Sequence, residues 1–527
     1  MTNSIEEIGD AGCVFAIGTN TTEDHPVIAL QIKRAVDSGA RLIVADPRRI
    51  GLCDMAHVWL RHRPGTDVAL IMGMARVIVD EGLLDQEFIE TRCENFDEFR
   101  DSLGDFDLDR VSRITGIPGS TIAEAARVYA TNRPSSILYA MGITQSSHGT
   151  DNVLALANLA MLTGNVGRPS SGVNPLRGQN NVQGACDVGA LPNVYPGYQA
   201  VSNPAIKEKF EGAWGCSLSD RPGLTLTEML DAAYRGQVKA IYLMGENPVL
   251  SDPDASHVEE ALNRLEFLVV QDIFLTETAR LADVVLPATS FAEKEGTFTN
   301  TERRVQRLHR AVAPVGDSRP DWQIVCDIAR RMGARDFAYD SASEIMDEIA
   351  ELTPAYGGIT YERIEEEGLQ WPCPFDDHPG TKFLHEGIFS RGKGKFMPLE
   401  YKSPQEQPDD KYPLVLTTGR SMYHFHTGTM TRKAKGLNEL KGEGDIEINP
   451  RDAEALGIAG GDMVQVASRR GKITARANVT ENVPAGVVFM TFHFAESPVN
   501  QLTNPALDPV SKIPEFKVCA VRVEKAE

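Results

Sequence analysis

Short apolar segments alternate with helical ones along the first third of this chain, and each apolar segment runs out into a polar loop. That alternation restricts the region to a parallel α/β sheet. The strand CVFAIGTN (Cys13 to Asn20) precedes a helix over Pro26 to Ser38, and the strand RLIVADPRR precedes an apolar helix from Val68. Such proteins gather ligands at the carboxyl edge of their strands, which puts Asn20, Asp46 and Arg48 where α/β folds bind nucleotides. A second series follows, with KAIYLMGENP, a helix near Val258 to Leu265, FLVVQDIF and ADVVLPAT. Two related units in one chain predict a pseudo-repeated architecture holding two similar ligands or one two-headed ligand. From Asp336 the pattern loosens into charged helices and Pro-rich loops, ending in the linker-like SPQEQPDDKYP. Beyond a boundary near residue 408, short β-branched strands with turns and one short helix predict a β-barrel. The expected domains are therefore 1–170, 171–408 with a helical insertion, and 409–527.

At 527 residues and 42% hydrophobic content the chain suits three or four globular domains with sizeable cores. Its 74 acidic and 53 basic residues leave a net charge of -21, which argues against nonspecific binding to nucleic acid or anionic membrane. Eight cysteines lie far apart without a C-x-x-C pair, which is neither a cluster-binding pattern nor a disulfide framework. Most read as buried small hydrophobes in a reducing compartment. Val68 to Val79 is interrupted by Arg76 and falls short of a bilayer span, so no transmembrane segment is expected. The first residues, MTNSIEEIGDAG, are polar and acidic, unlike a signal peptide, and a cytoplasmic chain is the expectation.

The segment GVNPLRGQNNVQGACDVG (Gly172 to Gly189) sets Arg177 among Asn, Gln and Gly residues without helical or strand periodicity. Its side chains supply fixed donors, Arg177, Gln179, Asn180, Asn181 and Gln183, and its glycines let backbone N–H groups approach an anion closely. A polar interdomain loop has the same composition, so these residues alone leave both readings open. Asp46 in VADPRR suits a ribose or guanine and Arg48 suits phosphate, yet a loop-capping Asp has the same pattern. Thr66 and Asp67 in PGTDVAL, and Asp272, Thr276 and Thr278 in QDIFLTETA, stand at helix entrances, which capping alone explains but which also offer N–H groups to phosphate. In TTGRSMYHFHTGTMTR, His424 and His426 are spaced to share one face of a strand. A zinc site needs a third ligand, so hydrogen bonding to a bound cofactor is the better expectation for this run.

Together, GITQSSHGTDNVLALANLAMLTGNVGRPSSGVNPLRGQNNVQGACDVGALPNVYPGY, DIFLTETARLADVVLPATSFAEKEGTFTNTERRVQ, TGRSMYHFHTGTMTR and PEFKVCAVRV resemble the molybdopterin oxidoreductases of the dimethyl sulfoxide reductase superfamily. Within it, RGQNNVQGACDVGALP resembles the catalytic alpha subunits of formate dehydrogenases. The resemblance implies two Rossmann-like α/β units followed by a C-terminal double-psi-type β-barrel. It also implies molybdenum or tungsten carried by two molybdopterin guanine dinucleotides. By motif match, Asn20, Glu23, Asp46, Arg48 and Asp67 would contact one dinucleotide, and Asp272 and Thr276 the other. Met141, Gly142, Gln145, Gly178 and Gln179 would line the pterins. Arg420, Ser421, His424, His426, Asn500, Phe516 and Lys517 match cofactor-covering positions. Arg177 matches the arginine that holds the substrate carboxylate, leaving the C–H bond of formate to face the metal centre as carbon dioxide forms. Burial of Arg177 without an anion would be costly.

The family's opening cysteine motif for a [4Fe-4S] cluster, and the selenocysteine or cysteine that ligates the metal, have no counterpart here. The match begins just downstream of that ligand, about one-quarter of a subunit in. An in-frame selenocysteine codon read as a stop is the leading explanation, and a separately encoded N-terminal partner is the other. Either way, the chain alone is expected to be inactive with formate and to expose apolar surface where strands of the core are missing. An iron–sulfur electron-transfer subunit is the expected further partner. The acceptor beyond it is open among NAD, a deazaflavin, ferredoxin and a hydrogenase. Two alternatives stand beside this reading: a non-catalytic scaffold subunit, and an oxidoreductase for another small oxyanion.

Overall fold

The computed structural model describes residues 1–526, which form two compact units. One comprises Met1–Gly178, Leu250–Ala255 and the chain from Phe383 onward, and the other comprises Gln179–Val249 and Ser256–Lys382.

The first unit opens with a five-stranded parallel sheet, β1 (Cys13–Ile17), β2 (Arg41–Ala45), β3 (Val58–Leu60), β4 (Ser135–Tyr139) and β5 (Gly172–Pro175), in the order β3-β2-β1-β4-β5. Alternate residues feed two cores, as a sheet buried on both faces requires. Val14, Ala16, Leu42 and Val44 pack with Ile28 and Ile32 of α1 (Pro26–Asp37). Phe15, Ile17 and Ile43 pack on the other side with α2 (Asp67–Asp80), α3 (Gly119–Thr131) and α4 (Gly149–Leu162). β1 stops at Ile17 rather than continuing to Asn20, because Gly18 turns to a φ of 57° and a short helix starts at Thr21. β2 likewise ends at Ala45, where the Asp46 carboxylate accepts the Arg48 N–H and makes a turn.

The strand order reverses direction between β1 and β4, the point at which open α/β sheets bind ligands. There the two strand ends touch through glycine. The Gly142 N–H donates to the Gly18 carbonyl at 3.0 Å, and a Cβ on Gly142 would lie 2.5 Å from the Gly18 Cα.

The second unit holds a three-stranded parallel sheet. α5 (Val182–Asp187) and α6 (Leu226–Tyr234) precede β6 (Ala240–Met244), and α7 (Ala255–Asn263) leads to β7 (Phe267–Asp272) and β8 (Val284–Pro287). Ile241, Leu243, Leu268 and Val270 pack against α6 and α7. On the opposite face Tyr242, Met244, Phe267 and Val284 are exposed, an unusual state for parallel strands.

The first unit resumes as a closed barrel of β9 (Leu414–Gly419), β10 (Asp445–Ile448), β11 (Met463–Ala467), β12 (Lys472–Val479), β13 (Val487–Thr491) and β14 (Cys519–Lys525). The order is β9-β13-β10-β12-β11-β14, and β14 pairs back onto β9. β12 alternates strictly, with Ile473, Ala475 and Ala477 inside, so the predicted barrel has a filled core. Among the described residues no helix is long and apolar enough to cross a membrane.

Two outcomes follow from this packing. Gly142→Ala forces backbone apart at the β1/β4 switch point and lowers stability by about 1–3 kcal/mol, measurable by denaturant unfolding. The double change Met244→Lys, Phe267→Glu lowers binding of a hydrophobic dye and light scattering on warming, while leaving the far-ultraviolet circular dichroism unchanged.

Candidate functional site

The carboxyl ends of β1 and β2 and the barrel strands β9, β10 and β13 bring together groups that lie far apart in the chain. The Arg48 guanidinium pairs with the Glu447 carboxylate at 3.1 Å and lies 3.3 Å from the Phe489 ring centroid. Asp46 accepts the Arg48 N–H at 2.8 Å, and burial pushes its carboxyl pKa up against the pull of Arg48, His62 and Lys517. Glu23 and Asp24 are also pushed up by burial, with Arg48 opposing the shift in the first and Arg420, Lys517 and Arg48 opposing it in the second. Lys517 donates to the Thr418 carbonyl at 2.6 Å. Desolvation lowers its pKa to about 8, with Asp24 and Asp46 resisting and Arg420 and Arg48 reinforcing the shift.

Arg420, just past β9, donates to the Gly178 carbonyl at 3.0 Å, and burial depresses its pKa while Asp24 supports its charge. The next residue, Ser421, donates its N–H to His493 Nε2 at 2.8 Å. His493 Nδ1 meets the His426 carbonyl, so Nδ1 carries the proton and the ring is neutral. Burial lowers its pKa to about 4, in keeping with that tautomer.

Asp67 stands at the first turn of α2 with its Oδ1 3.0 Å from His62 Nε2. His62 Nδ1 lies 3.3 Å from the Leu60 carbonyl. Both ring nitrogens face acceptors, an arrangement that favours the imidazolium. Burial works against that charge, but the Asp67 carboxylate and its hydrogen bond raise the His62 pKa above its ordinary value.

Buried polar atoms cluster here without hydrogen bonds inside the chain: Thr19 Oγ1, Thr21 Oγ1, Asp24 Oδ1, His25 Nδ1, Ser421 Oγ and Thr491 Oγ1. Buried groups of this kind are normally paired, and so many together mark a cradle for a polar ligand carrying both donors and acceptors. A dinucleotide with phosphates, hydroxyls and ring N–H groups fits that donor set. Asn20 is buried at the same strand end, its backbone carbonyl accepting the N–H groups of Glu23 and Asp24 at 3.1 and 2.8 Å.

Other expected residues are placed differently. Met141 opens a short helix after β4, Gln145 closes it, and Gly142 is the backbone contact described above. His424 and His426 do not share a strand face: the strand ends at Gly419, the chain turns, and His426 has a φ of 48°. His424 instead meets the Lys441 carbonyl at 2.6 Å and Thr431 Oγ1 at 3.2 Å. Asn500 donates to the Leu250 and Ser251 carbonyls at 2.8 and 3.0 Å, and the Phe516 carbonyl accepts from Thr418 Oγ1 at 2.9 Å. Arg177 follows β5 and is exposed, so its charge stays hydrated without an anion.

In the second unit Asp272 accepts the N–H groups of Ile273 and Phe274 at 2.6 and 3.2 Å, and Thr276 Oγ1 accepts the Ala279 N–H at 3.1 Å. Part of the polar segment after Gly178 is committed to structure. Asn181 Oδ1 accepts the Thr299 N–H at 2.9 Å, and Gln183 donates to Asp187 at 2.8 Å. Asp187 is buried and also accepts from Tyr198, Tyr356 and Trp371 at 2.8, 2.6 and 2.7 Å, which moors α5. Gln179 begins this unit.

The family model described as molybdopterin oxidoreductase matches residues 1–331, and that described as molydopterin dinucleotide binding domain matches residues 414–520. The chain belongs to the molybdopterin oxidoreductase family. The F420-dependent formate dehydrogenase subunit alpha of Methanocaldococcus jannaschii is 53% identical over all of this chain and 78% of its own length. Formate dehydrogenase H of Escherichia coli is 43% identical over 99% of this chain and 74% of its own. Acetylene hydratase from Pelobacter acetylenicus superposes with a TM-score of 0.78 at 21% identity, covering all of this chain and 81% of that one, a likeness of fold. Membership explains the cradle, since a molybdopterin cofactor brings the phosphates and ring donors that its orphaned atoms lack.

Asp24, His25, His62, Glu447, Thr491 and His493 escape a reading by motif. His25 alone carries a local signal, because it stands directly before Pro26, which opens the next helix.

The depressed Lys517 pKa has a measurable consequence. With a folded value of about 8 and an unfolded value near 10.4, the unfolded chain binds more protons between those limits, so the desolvation cost is full below pH 8 and fades as pH rises. Lys517→Met therefore has its largest stabilising effect on the ligand-free chain below pH 8. Its melting-temperature advantage over the parent shrinks as pH rises toward 10, as scanning fluorimetry across pH will show.

Proposed function

We propose that this chain forms the greater part of the catalytic subunit of a formate dehydrogenase, interconverting formate and carbon dioxide. The observation that carries this reading is Arg177, an exposed guanidinium on an anchored backbone, joined through Arg177–Gly178 to the buried polar cradle. The names of the relatives that are 53% and 43% identical to it, in alignments covering essentially the whole chain, support it.

In this reading Asn20, Glu23, Asp46, Arg48 and Asp67 hold one molybdopterin guanine dinucleotide, and Asp272 and Thr276 hold the second. Met141, Gly142, Gln145, Gly178 and Gln179 line the pterins, while Arg420, Ser421, His424, His426, Asn500, Phe516 and Lys517 cover the cofactor. When bound, the molybdenum or tungsten centre supplies the two-electron acceptor for the C–H bond of formate. Arg177 holds the substrate carboxylate through its planar fork, fixing the one handle that formate offers. Lys517 and Arg420 lend positive charge to the phosphates, and anion binding returns the Lys517 pKa toward its ordinary range. The domains assigned to these roles are 1–170, 171–408 and 409–527. An iron–sulfur subunit carries the electrons onward.

In the assembled enzyme, Arg177→Lys keeps the charge but loses the fork, and formate kcat/KM falls by about tenfold, equivalent to about 1.4 kcal/mol. Arg177→Ala lowers it by about a hundredfold or more. Unchanged formate kinetics in Arg177→Ala would instead point to another small oxyanion as substrate.

A further inference from the structure

β5 ends at Pro175, and the sheet's ladder gives its last bond where the Leu176 N–H donates to the Tyr139 carbonyl at 2.8 Å. The next two carbonyls lie beyond the sheet, yet each is gripped by a side chain from a distant part of the same unit. His25 Nε2 is 2.8 Å from the Arg177 carbonyl, and Arg420 Nη1 donates to the Gly178 carbonyl at 3.0 Å. His25 enters from the start of α1, 152 residues away in sequence, and Arg420 from the end of β9, 242 residues away. The fit at Gly178 is close: a Cβ there would stand 2.3 Å from Arg420 Nη2, so only glycine lets the guanidinium lie against this backbone.

We propose that His25 and Arg420 form a two-point clamp on consecutive carbonyls that sets the backbone of Arg177, making both of them positioning residues for the substrate cation. This rests on the reading of Arg177 as the carboxylate holder. A long side chain magnifies any rotation of the backbone that carries it. A misplacement of about 1 Å at a reacting centre can cost about a hundredfold in rate, so a holder beyond the end of a strand needs fixed carbonyls. A carbonyl only accepts, so His25 Nε2 carries a proton, and the neutral ring leaves Nδ1 as an acceptor. Nδ1 is buried and makes no hydrogen bond within the chain. Burial and the charge of Arg420 favour that neutral ring, while the bond to the Arg177 carbonyl resists them.

The geometry separates two replacements that a space-filling role would not. A glutamine side chain carries its amide N–H to the position of His Nε2, whereas an asparagine N–H reaches only the position of Nδ1. His25→Ala and His25→Asn are expected to raise formate KM about fivefold to tenfold in the assembled enzyme, the scale of one lost hydrogen bond, and His25→Gln to restore it to within about twofold. Hydrogen–deuterium exchange on this chain gives a readout without turnover: peptides covering residues 174–182 exchange faster in His25→Ala and His25→Asn, and at the parent rate in His25→Gln. Arg420→Lys, which keeps the charge but loses the planar fork, gives the same acceleration in that segment should the His25 variants fail to fold. Rescue by Asn equal to that by Gln, or parent-like exchange and KM in His25→Ala, overturns the clamp. Formate kinetics unchanged in Arg177→Ala overturn the parent reading instead, whatever the exchange data show.

Discussion

The buried charge at the seam of sheet and barrel in the first unit is the constraint on which the rest of that unit depends. Asp24, Asp46, Glu23 and Glu447 face Arg48, Arg420 and Lys517 where desolvation acts on both signs, raising the acids and lowering Arg420 and Lys517. No single pair neutralises the group. Arg48 has Glu447 and an aromatic face, whereas Lys517 has a carbonyl and only longer-range acids. Such a cluster holds together because the sheet and the barrel each have complete apolar cores of their own, which supply the stability that it consumes.

The two scaffolds present most of these groups from beyond strand ends, and Glu447 alone of the seven stands within a strand, β10. β1 and β4 meet through Gly18 and Gly142, which closes the switch point at the backbone and leaves Thr19 to His25 to turn away over it. β9 ends at Gly419, where the Phe489 ring of β13 fills the space a side chain would take, and the same ring carries Arg48. One aromatic side chain thus shapes the barrel mouth and orients a cation of the sheet.

The strands were legible in the sequence because wholly buried parallel strands are short apolar runs, and β12 because a barrel wall alternates. Their ends were less so. CVFAIGTN continues in composition past Ile17, and only the positive φ of Gly18, which composition does not encode, stops the strand. The histidines of TTGRSMYHFHTGTMTR are spaced for a strand, but the bonds of His424 to Thr431 and Lys441 favour a folded turn. For the site, motifs pointed to residues that stand beside recognisable punctuation, such as Asp46 before a proline and Asp67 after PGT. They missed those defined by a neighbour remote in sequence. Glu447 is 399 residues from Arg48, and neither residue announces the other. His62, five residues before Asp67, reads as a polar residue in a loop until the Leu60 carbonyl closes its second nitrogen.

Unsatisfied buried atoms occur in both units, those of Thr227, Thr289 and Thr353 in the second among them, but they gather at the seam of sheet and barrel. In the second unit the polar segment after Gly178 is largely self-sufficient: Asp187 accepts four hydrogen bonds, and Asn181 accepts the Thr299 N–H. Asp272 and Thr276 likewise have backbone donors. At the seam of the first unit the opposite holds. Thr19, Thr21, Asp24, Ser421 and Thr491 each keep a buried atom without a bond inside the chain. A chain able to satisfy a four-bond carboxylate in one place has no folding reason to strand five polar atoms in another. Their cost is the signature of a site shaped for a partner that brings its own donors and acceptors.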